Sequence, residues 1–371
     1  MSKPPETALV TALGLMSGTS LDGIDVALVK TDGEARVERG PSRTYAYAEE
    51  QRQLLRQALA AAASLTDRKD RSGVLGEAEA ALTGWHADAV RAFCEDTGTA
   101  LEKVGIVGFH GQTVIHRPER RLTVQLGDGA RLARMLGRPV AFDLRAADVA
   151  AGGQGAPLVP AYHGALAAAL PERPVAFVNI GGVANVTWVG ADESLVAFDT
   201  GPGNALIDDW MKAHTGASRD EGGALARTGR VDEATSAQFL GDAFFEKPGP
   251  KSLDRNSFAG ISLKGLSPAD GAATLVAVTA RSIAAACAHM PSPPRTWIIC
   301  GGGRHNRAIM QALEALLPNV KPAEACGFNG DSMEAEAWAY LAVRARRGLA
   351  LTWPGTTGVQ RPLTGGVIVQ E

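Results

Sequence analysis

The sequence predicts an α/β protein built from two similar halves, and three observations support this fold class. The chain has 371 residues, which is too long for one ordinary hydrophobic core and indicates two domains. Hydrophobic residues make up 45% and charged residues 21% of the chain, a balance typical of globular proteins. An apolar strand, a polar glycine turn and a second strand occur at residues 8–29 and again at 175–189, so each half begins with a hairpin.

The first half mixes strands with helices after its opening hairpin. Apolar runs and helix-forming segments predict strands at 104–109, 122–126 and 140–142 and helices at 49–63, 74–96 and 130–136. Residues 146–158 are rich in alanine and glycine, and we place the domain boundary there. This gives an N-terminal α/β domain of residues 1–147 and a C-terminal α/β domain of residues 148–371.

The second half repeats this plan in its strands and helices. The patterns predict strands at 175–180, 186–189, 195–198 and 296–300 and helices at 269–289, 306–317 and 333–347. Ser267 and Asp270 match a capping box with Pro268 at the first helical position. Two such halves are expected to bind a ligand between them.

Charge and cysteine usage exclude several classes of protein. The net charge is -3 and the pI about 6.2, so the chain lacks the basic surface that nucleic-acid binding requires. The 4 cysteines have no CxxC spacing and are expected to be reduced thiols of a cytoplasmic protein. We find no signal-peptide pattern, no uninterrupted apolar run of membrane-spanning length and no histidine spacing typical of zinc sites.

Three glycine-rich turns are suited to binding phosphates or a nucleotide. They are SGTSLDG (17–23), NIGGVAN (179–185) and CGGGRHN (300–306), and the alternative is that they are ordinary turns. Exposed backbone N–H groups and hydroxyls hold phosphate oxygens, and Asp22 is a candidate magnesium ligand. Neither a GxGxxG nor a P-loop motif occurs. The candidate nucleotide-binding residues are Ser17, Gly18, Thr19, Ser20, Asp22, Gly23, Asn179, Gly181, Gly182, Gly301, Gly302, Gly303 and Asn306.

The turn FDTGPGN at residues 198–204 places Asp199 at the end of an apolar strand. A carboxylate there can act as a general base that takes a proton from water or from a hydroxyl. The alternative is that it caps the following helix. Gly201, Gly203 and Asn204 form the rigid turn after it, and we assign them to the substrate.

Polar residues at two other strand ends are candidate sugar ligands: His110, Gln112, Asp143 and Arg145. Arg145 can bind a substrate carboxylate through two parallel hydrogen bonds. The alternatives are a local ion pair between Arg145 and Asp143, and a structural role for His110. Glu334 is a further candidate ligand; alternatively, Asp331 is a helix N-cap and Glu334 the carboxylate of its capping box.

At these residues the chain resembles the anhydro-N-acetylmuramic acid kinase family. The resemblance covers about residues 13–367, with the matching segments in one order: GLMSGTSLDGIDV, GFHGQTVIHRP, TVQLGDGARLA, DVAAGGQGAPLVPAYH, NIGG with ANV, FDTGPGN, GPKS (249–252) and CGGGRHN. The chain departs from the family pattern at Leu253 and Asp254, where a Thr-Gly pair is expected.

The resemblance implies a two-domain, actin-like ATPase fold, duplicated from a ribonuclease H-like unit, with a central cleft. It implies a kinase that uses ATP, Mg²⁺ and water to convert 1,6-anhydro-N-acetylmuramic acid into N-acetylmuramic acid 6-phosphate, in peptidoglycan recycling. The family's catalytic aspartate falls on Asp199, and a homodimer is compatible with the family. The other functions left open are a kinase for a different sugar, an actin-like or chaperone-like ATPase and a plain glycosidase.

Overall fold

A computed structural model gives the fold of residues 8–253, 258 and 262–370. Within these residues the strands are β1 Val10–Ser17, β2 Gly23–Thr31, β3 Val37–Ala46, β4 Ile106–Arg117, β5 Leu122–Leu126, β6 Val140–Phe142, β7 Val175–Ile180, β8 Val183–Val189, β9 Leu195–Pro202, β10 Thr296–Cys300, β11 Val320–Pro322 and β12 Val367–Val369.

The helices of the same residues alternate with these strands along the chain. They are α1 Glu49–Ala62, α2 Val74–Thr97, α3 Gly129–Leu136, α4 Ala146–Ala150, α5 Pro160–Ala168, α6 Ala205–Thr215, α7 Glu233–Leu240, α8 Ala243–Glu246, α9 Pro268–Ala285, α10 Arg307–Leu316, α11 Met333–Arg346 and α12 Pro354–Thr357. The predicted N-cap of α9 is confirmed, since Ser267 Oγ accepts a hydrogen bond from Asp270 N and Pro268 is the first helical residue; the Asp270 carboxylate accepts from the Ser267 hydroxyl.

Each half of the chain contains one sheet, and the two sheets share a strand order. In the first sheet the order is β3-β2-β1-β4-β6, with β12 beside β6 and β5 beside β4. In the second it is β9-β8-β7-β10-β11. In both sheets, the first three strands along the chain (β1–β3 and β7–β9) pair antiparallel with their neighbours. The next strand is parallel to the strands on both sides of it: β4 to β1 and β6, and β10 to β7 and β11. This shared order is the ribonuclease H-like duplication that the resemblance implies.

The first compact unit comprises residues 1–168 together with the last segment, residues 332–371. Helix α11 packs on the first sheet at two strand glycines. A Cβ atom on Gly14 would lie 1.8 Å from Ala335 O, and one on Gly108 would lie 2.1 Å from Trp338 O. Only glycine allows such close approach of a helix backbone to a strand. These contacts explain why the C-terminal segment belongs to the first unit.

The second compact unit is the continuous stretch of residues 169–331. This division differs from the predicted domains, which placed the boundary after residue 147 and assigned all later residues to the second domain. Helix α5 shows the reason for the later boundary: the Tyr162 hydroxyl donates to Glu336 Oε2 of α11 at 2.6 Å. A helix in the predicted second domain is thereby tied to the first unit.

Helix α9 is the core helix of the second unit. With the 3₁₀ turn Ala286–His289 that follows it, its length and composition would suffice to span a membrane, and 72% of its most apolar window is buried. A buried core helix has the same composition. Leu275, Val278 and Ile283 pack with Phe198 and Trp297 in the core of this unit.

Candidate active site

The first glycine turn joins β1 to β2 and presents a polar tip. Leu21 has a φ of +58°, and its N–H donates to Gly18 O at 3.2 Å, which closes the turn. Three of the predicted nucleotide-binding residues are exposed at this tip: Thr19, Ser20 and Asp22. A Cβ atom on Gly18 would meet nothing closer than Ser20 Oγ at 3.6 Å. The backbone of the tip is therefore accessible to a ligand.

The two ends of this turn are buried and already have partners. Ser17 Oγ donates to Gly111 O at 2.8 Å, which fastens the end of β1 to β4. A Cβ atom on Gly23 would lie 2.4 Å from Tyr45 O on the neighbouring strand. Of the residues predicted to bind nucleotide in this turn, Ser17 and Gly23 thus shape the turn, while the residues between them are available to a ligand.

His110 connects the turn to Arg145. Its Nδ1 lies 3.1 Å from Ser17 O, and its Nε2 lies 3.3 Å from Arg145 Nη2. Because a carbonyl only accepts and a guanidinium only donates, these partners assign the proton to Nδ1. Burial, reinforced by the Arg145 charge, lowers the pKa of His110 to about 3. His110 is therefore a neutral positioning group at neutral pH.

Gln112 has one satisfied and one unsatisfied polar atom. Its Nε2 donates to Gly18 O at 3.2 Å. Its buried Oε1 has no hydrogen-bond partner among the residues that the structure describes. Leaving a buried acceptor unpaired costs about 1–3 kcal/mol, so this oxygen is a candidate acceptor for a hydroxyl or amide N–H of a ligand.

Arg145 is half-buried, and one of its hydrogen-bond donors has no partner among the described residues. Its Nη1 donates to Gly155 O at 2.8 Å, and its guanidinium carbon lies 5.5 Å from the centre of the Trp338 ring. The buried Nε has no partner within the described part of the chain. Burial lowers the pKa of Arg145 to about 10, although the charges of Glu334 and Asp148 oppose this shift. The group stays cationic at neutral pH.

Two alternatives for the acidic candidates are wrong. Asp143 does not pair with Arg145; both of its oxygens accept from Arg68 Nη2, at 2.7 and 2.6 Å. Asp331 is not the N-cap of α11, because the N-cap is Ser332 and Asp331 instead accepts from Arg304 at 2.7 Å. Both acids pair with arginines that are distant in sequence, because the fold brings those arginines close to them.

A cavity of about 270 Å³ adjoins His110 in the first unit. Two ion pairs line it, Arg68 with Asp143 at 2.6 Å and Arg71 with Glu79 at 2.7 Å. The other lining residues are Lys69, Phe109, His110, Gly111, Val124, Gln125, Leu126, Gly127 and Phe142. This mixture of polar and apolar lining is typical of small-molecule pockets. The resemblance gave no indication of Arg68 or Arg71, which are functional candidates that sequence reasoning missed.

In the second unit, three glycine turns meet at the ends of β7, β9 and β10. A Cβ atom on Gly301 would lie 2.2 Å from Asn179 Oδ1, and one on Gly203 would lie 2.3 Å from Gly181 O. Asn204 N donates to the same carbonyl of Gly181 at 2.7 Å. The turns predicted to bind nucleotide and the turn after Asp199 are therefore one cluster.

The tip glycines of this cluster are not closely packed, and Gly182 and Gly302 are exposed. A Cβ atom on Gly181, Gly182 or Gly302 would meet nothing closer than 3.6 Å in this structure. Gly303 is different, because a Cβ atom there would lie 2.3 Å from Ile180 Cγ2. Three of the predicted nucleotide-binding glycines thus leave bare backbone accessible, and Gly303 serves close packing.

Asn306 and Arg304 shape the third turn. Asn306 Oδ1 accepts from Ala308 N at 3.0 Å and from Ile309 N at 3.2 Å, so it is the N-cap of α10. Arg304 Nη1 donates to Gly301 O at 2.8 Å, and its guanidinium pairs with Glu324 and Asp331. Asn306, predicted to bind nucleotide, uses its side-chain oxygen for helix capping.

Asp199 lies within β9, which continues to Pro202 instead of ending at residue 198 as predicted. Its N–H donates to Lys251 O at 2.9 Å, and its Oδ2 accepts from Leu253 N at 2.7 Å. Burial raises the pKa of Asp199 to about 7, against the Leu253 hydrogen bond and the Lys251 charge. The alternative of a cap for α6 is wrong, since its N-cap is Asn204. A carboxyl with such a pKa is suited to proton transfer near neutral pH.

Two further residues that support the site were missed. Asp148 is buried, and its oxygens accept from Gly155 N and from the Thr357 hydroxyl, each at 2.6 Å. It thereby fixes the loop whose carbonyl binds Arg145. Lys251 lies in the GPKS segment beside Asp199; the segment was recognised, but its lysine was given no role. Asp254, part of the departure from the family pattern, lies outside the described residues.

Comparison with known proteins gives a consistent result. Two curated relatives bear the name anhydro-N-acetylmuramic acid kinase. The one from Rhodopseudomonas palustris is 54% identical over 98% of this chain and 100% of its own length, and the one from Rhodospirillum rubrum is 55% identical over 96% and 93%. Component A of the Acidaminococcus fermentans (R)-2-hydroxyglutaryl-CoA dehydratase is a more distant structural neighbour: it is 14% identical, covers 90% of this chain and 98% of its own, and has a TM-score of 0.49.

The whole-chain extent of the match decides the family. The sequence profile of the anhydro-N-acetylmuramic acid kinase family matches residues 10–371, which include both compact units and every turn described above. Identity above one half over almost the full length of both chains leaves no unit unaccounted for. The chain belongs to the anhydro-N-acetylmuramic acid kinase family.

Proposed function

We propose that this protein phosphorylates 1,6-anhydro-N-acetylmuramic acid at the expense of ATP, in peptidoglycan recycling. Water bonds to the anomeric carbon, the bond between that carbon and O6 breaks, and O6 takes the γ-phosphoryl group. The products are N-acetylmuramic acid 6-phosphate and ADP. Family membership over residues 10–371 supports this substrate class.

The observation that carries the proposal is the environment of Asp199. Its carboxyl is held by Leu253 N at 2.7 Å, and burial raises its pKa to about 7. A general base is most effective when its pKa lies near the working pH. We assign Asp199 the role of taking a proton from the attacking water, which leaves the oxygen free to bond to the anomeric carbon.

The first unit supplies side chains suited to an acidic amino sugar. Arg145 offers a cation with an unpaired Nε, and Gln112 offers an unpaired buried oxygen. A carboxylate of the sugar can pair with the guanidinium, and a hydroxyl or amide N–H can donate to Gln112. We assign Arg145 to the lactyl carboxylate, with His110 and Glu334 as its neighbours.

The bare backbone of the glycine turns suits the phosphates of ATP. Tip residues of the first turn and Gly181, Gly182 and Gly302 of the second unit leave space for phosphate oxygens at backbone N–H groups. Magnesium usually binds one or two carboxylates together with substrate phosphates, and the exposed Asp22 fits that role. When bound, the ion would neutralise phosphate charge during transfer.

We place the protein in the cytoplasm with a small-molecule substrate and no nucleic-acid or membrane partner. All four cysteines are free thiols, namely Cys94, Cys287, Cys300 and Cys326, and free thiols are typical of a reducing compartment. A homodimer is our further proposal, on family membership alone. Sedimentation equilibrium would test it, with a single monomeric species contradicting it.

Phosphorus NMR tests the reaction directly. Purified protein is incubated with Mg-ATP and 1,6-anhydro-N-acetylmuramic acid, and with N-acetylmuramic acid or N-acetylglucosamine as control sugars. A sugar 6-phosphate signal with the anhydro sugar alone is the expected result. A phosphate ester formed from the reducing sugars would indicate an ordinary sugar kinase. ADP and free phosphate with no ester would indicate an ATPase. Ring opening without ATP, followed by proton NMR of the anomeric hydrogen, would indicate a glycosidase.

A further inference from the structure

A short segment of the second unit, residues 249–253, crosses the carboxylate of Asp199. Two backbone groups of the segment bind Asp199: Lys251 O accepts from Asp199 N at 2.9 Å, and Leu253 N donates to Asp199 Oδ2 at 2.7 Å. One segment therefore binds both the backbone and the side chain of this residue. Side-chain rotation of Asp199 would break the second bond.

The segment reaches this position because it packs closely on Phe198. A Cβ atom on Gly249 would lie 2.7 Å from Phe198 Cδ1, so a larger residue would push the segment away from β9. The Lys251 ammonium lies 5.7 Å from the centre of the same ring. Phe198, next to Asp199 in the chain, thus contacts the start and the middle of the segment.

Lys251 is itself fixed by contacts on α8. Its Nζ donates to Phe244 O at 2.9 Å and lies 4.5 Å from the centre of the Phe244 ring. Ammonium groups are attracted to aromatic faces, and the attraction grows as water is excluded. A lysine with one hydrogen bond and two aromatic faces is held in place, where a surface lysine would sample many rotamers.

We propose that residues 249–253 hold the Asp199 carboxylate in its reactive orientation and that the Lys251 ammonium, fixed against the Phe244 and Phe198 rings, favours the ionised form of this carboxylate. This inference rests on the proposed function, in which Asp199 is the base. Lys251 is accordingly a positioning residue, acting on the base rather than on the sugar.

The charges around Asp199 favour this assignment. Burial raises the pKa of the carboxyl, and the Lys251 charge is the neighbouring charge that lowers it among the described residues. Lys247 acts on Lys251 instead, and it is exposed. His289 lies 6.0 Å from the Phe198 ring, centre to centre, and its Nε2 faces Phe245 O at 2.8 Å. From β8, Asn185 is the strand partner of Asp199 and is neutral.

The test is the pH dependence of kcat/KM in Lys251→Met. Removing the positive charge disfavours the ionised carboxylate, so the acid limb should move to higher pH by about one unit. Because ionisation is then incomplete at low pH, kcat/KM should fall about tenfold at about pH 6 and change little at about pH 9. Lys251→Arg keeps the charge and should return the acid limb most of the way to its position in the unchanged protein.

Lys247→Met is the matched control, because it removes the same charge from the exposed neighbour. Its acid limb should coincide with that of the unchanged protein. A loss in Lys251→Met that is equal at every pH would overturn the inference and leave only a packing role. An increase in KM for ATP with an unmoved limb would overturn it as well, since Lys251 would then bind phosphate.

Carbon NMR of labelled aspartate separates this inference from the proposed function. The Asp199 signal, assigned by its absence in Asp199→Asn, should titrate at higher pH in Lys251→Met than in the unchanged protein, without substrate present. If the signal moves but no sugar phosphate is ever formed, the proposed function fails and the inference stands. If sugar phosphate is formed but the signal does not move, the inference fails alone.

Discussion

The two units share one strand order, yet their candidate sites are built from different materials. In the first unit, side chains meet at the strand ends: the His110 ring links the backbone carbonyl of Ser17 to the guanidinium of Arg145. In the second, glycine backbones meet, as Gly203 does with Gly181. Side chains can distinguish hydroxyls and carboxylates, whereas bare N–H groups hold phosphate oxygens. Both sheets place residues at their strand ends, and the types of residue there determine which ligand groups each unit can bind.

The replacement Asp199→Asn should have the largest effect. The amide cannot take a proton, so kcat should fall by about 10²–10⁴, the usual value of general-base catalysis. Steady-state kinetics with the anhydro sugar measures this loss.

Nucleotide binding and thermal unfolding are the controls for that variant. Both should be nearly unchanged, because asparagine keeps the size of the side chain and can still accept from Leu253 N. Turnover within a factor of a few of the unchanged protein would remove Asp199 from its assigned role.

Acid should distinguish the units by their stability. Burial is the main cause that lowers the pKa values of four histidines in the first unit to about 4 or 3: His86, His110, His116 and His163. The unfolded chain takes up these protons near about pH 6.5. Below that pH its free energy falls relative to the folded unit, by up to about 1.4 kcal/mol per pH unit for each histidine.

Asp199 changes stability in the opposite direction. Its folded pKa is raised to about 7, so its protonation stabilises the folded second unit as the pH falls below that value. Hydrogen exchange with mass spectrometry at about pH 5 and about pH 7.5 should therefore show the first unit losing protection first. Equal loss in both units would contradict the contrast.

A methyl group on Gly203 should test how tightly the second cluster is packed. In Gly203→Ala the new Cβ atom would lie 2.3 Å from Gly181 O. Since backbone cannot move aside without breaking the turn, we expect a loss of about 1–3 kcal/mol in the free energy of unfolding. Chemical denaturation measures it.

Gly182→Ala is the matched variant of the same cluster. Its Cβ atom would meet nothing closer than 3.6 Å, so the folded protein should keep its stability. If this backbone faces phosphate, KM for ATP should nevertheless rise. Full stability and an unchanged KM would remove Gly182 from the nucleotide site.

Arg145→Gln should sharpen the contrast by affecting the sugar alone. Losing a charge-assisted hydrogen bond of about 1.5–3 kcal/mol should raise KM for the anhydro sugar by about 10–100-fold and leave KM for ATP unchanged. An anhydro sugar without the lactyl carboxylate should be insensitive to the change. An unchanged KM for the carboxylate-bearing sugar would assign that carboxylate to another residue.

Local patterns predicted the strands and turns well. The bounds of β5, β6 and β10 agree with the apolar runs at 122–126, 140–142 and 296–300. A buried strand appears in the sequence as an uninterrupted run of mostly apolar residues. Strand β3 was missed, since most of its residues are exposed and the segment VERGPSRTYA has no apolar pattern. An edge strand owes its conformation to pairing with β2, which sequence periodicity does not record.

The shape of the candidate site could be predicted where it depends on residue types within one turn, as for Gly181 and Gly182, although Asp199 lies within β9 and not at its end. The pairing of a charged residue could not be predicted where its partner is distant in sequence. Asp143 pairs with Arg68, and Asp331 pairs with Arg304, because the fold brings helix and loop residues to them. The position of α11 depended likewise on Gly14 and Gly108, which lie on separate strands.

The packing of α11 on β1 and β4 has a consequence for synthesis on the ribosome. The first unit includes residues 332–371 as well as residues 1–168, so it lacks α11 until the second unit has been synthesised. The second unit, residues 169–331, is continuous, and we expect it to fold first although it is made later. Domains of nascent chains generally fold in the order of synthesis; limited proteolysis of a released chain truncated after residue 331 should find only residues 169–331 protected.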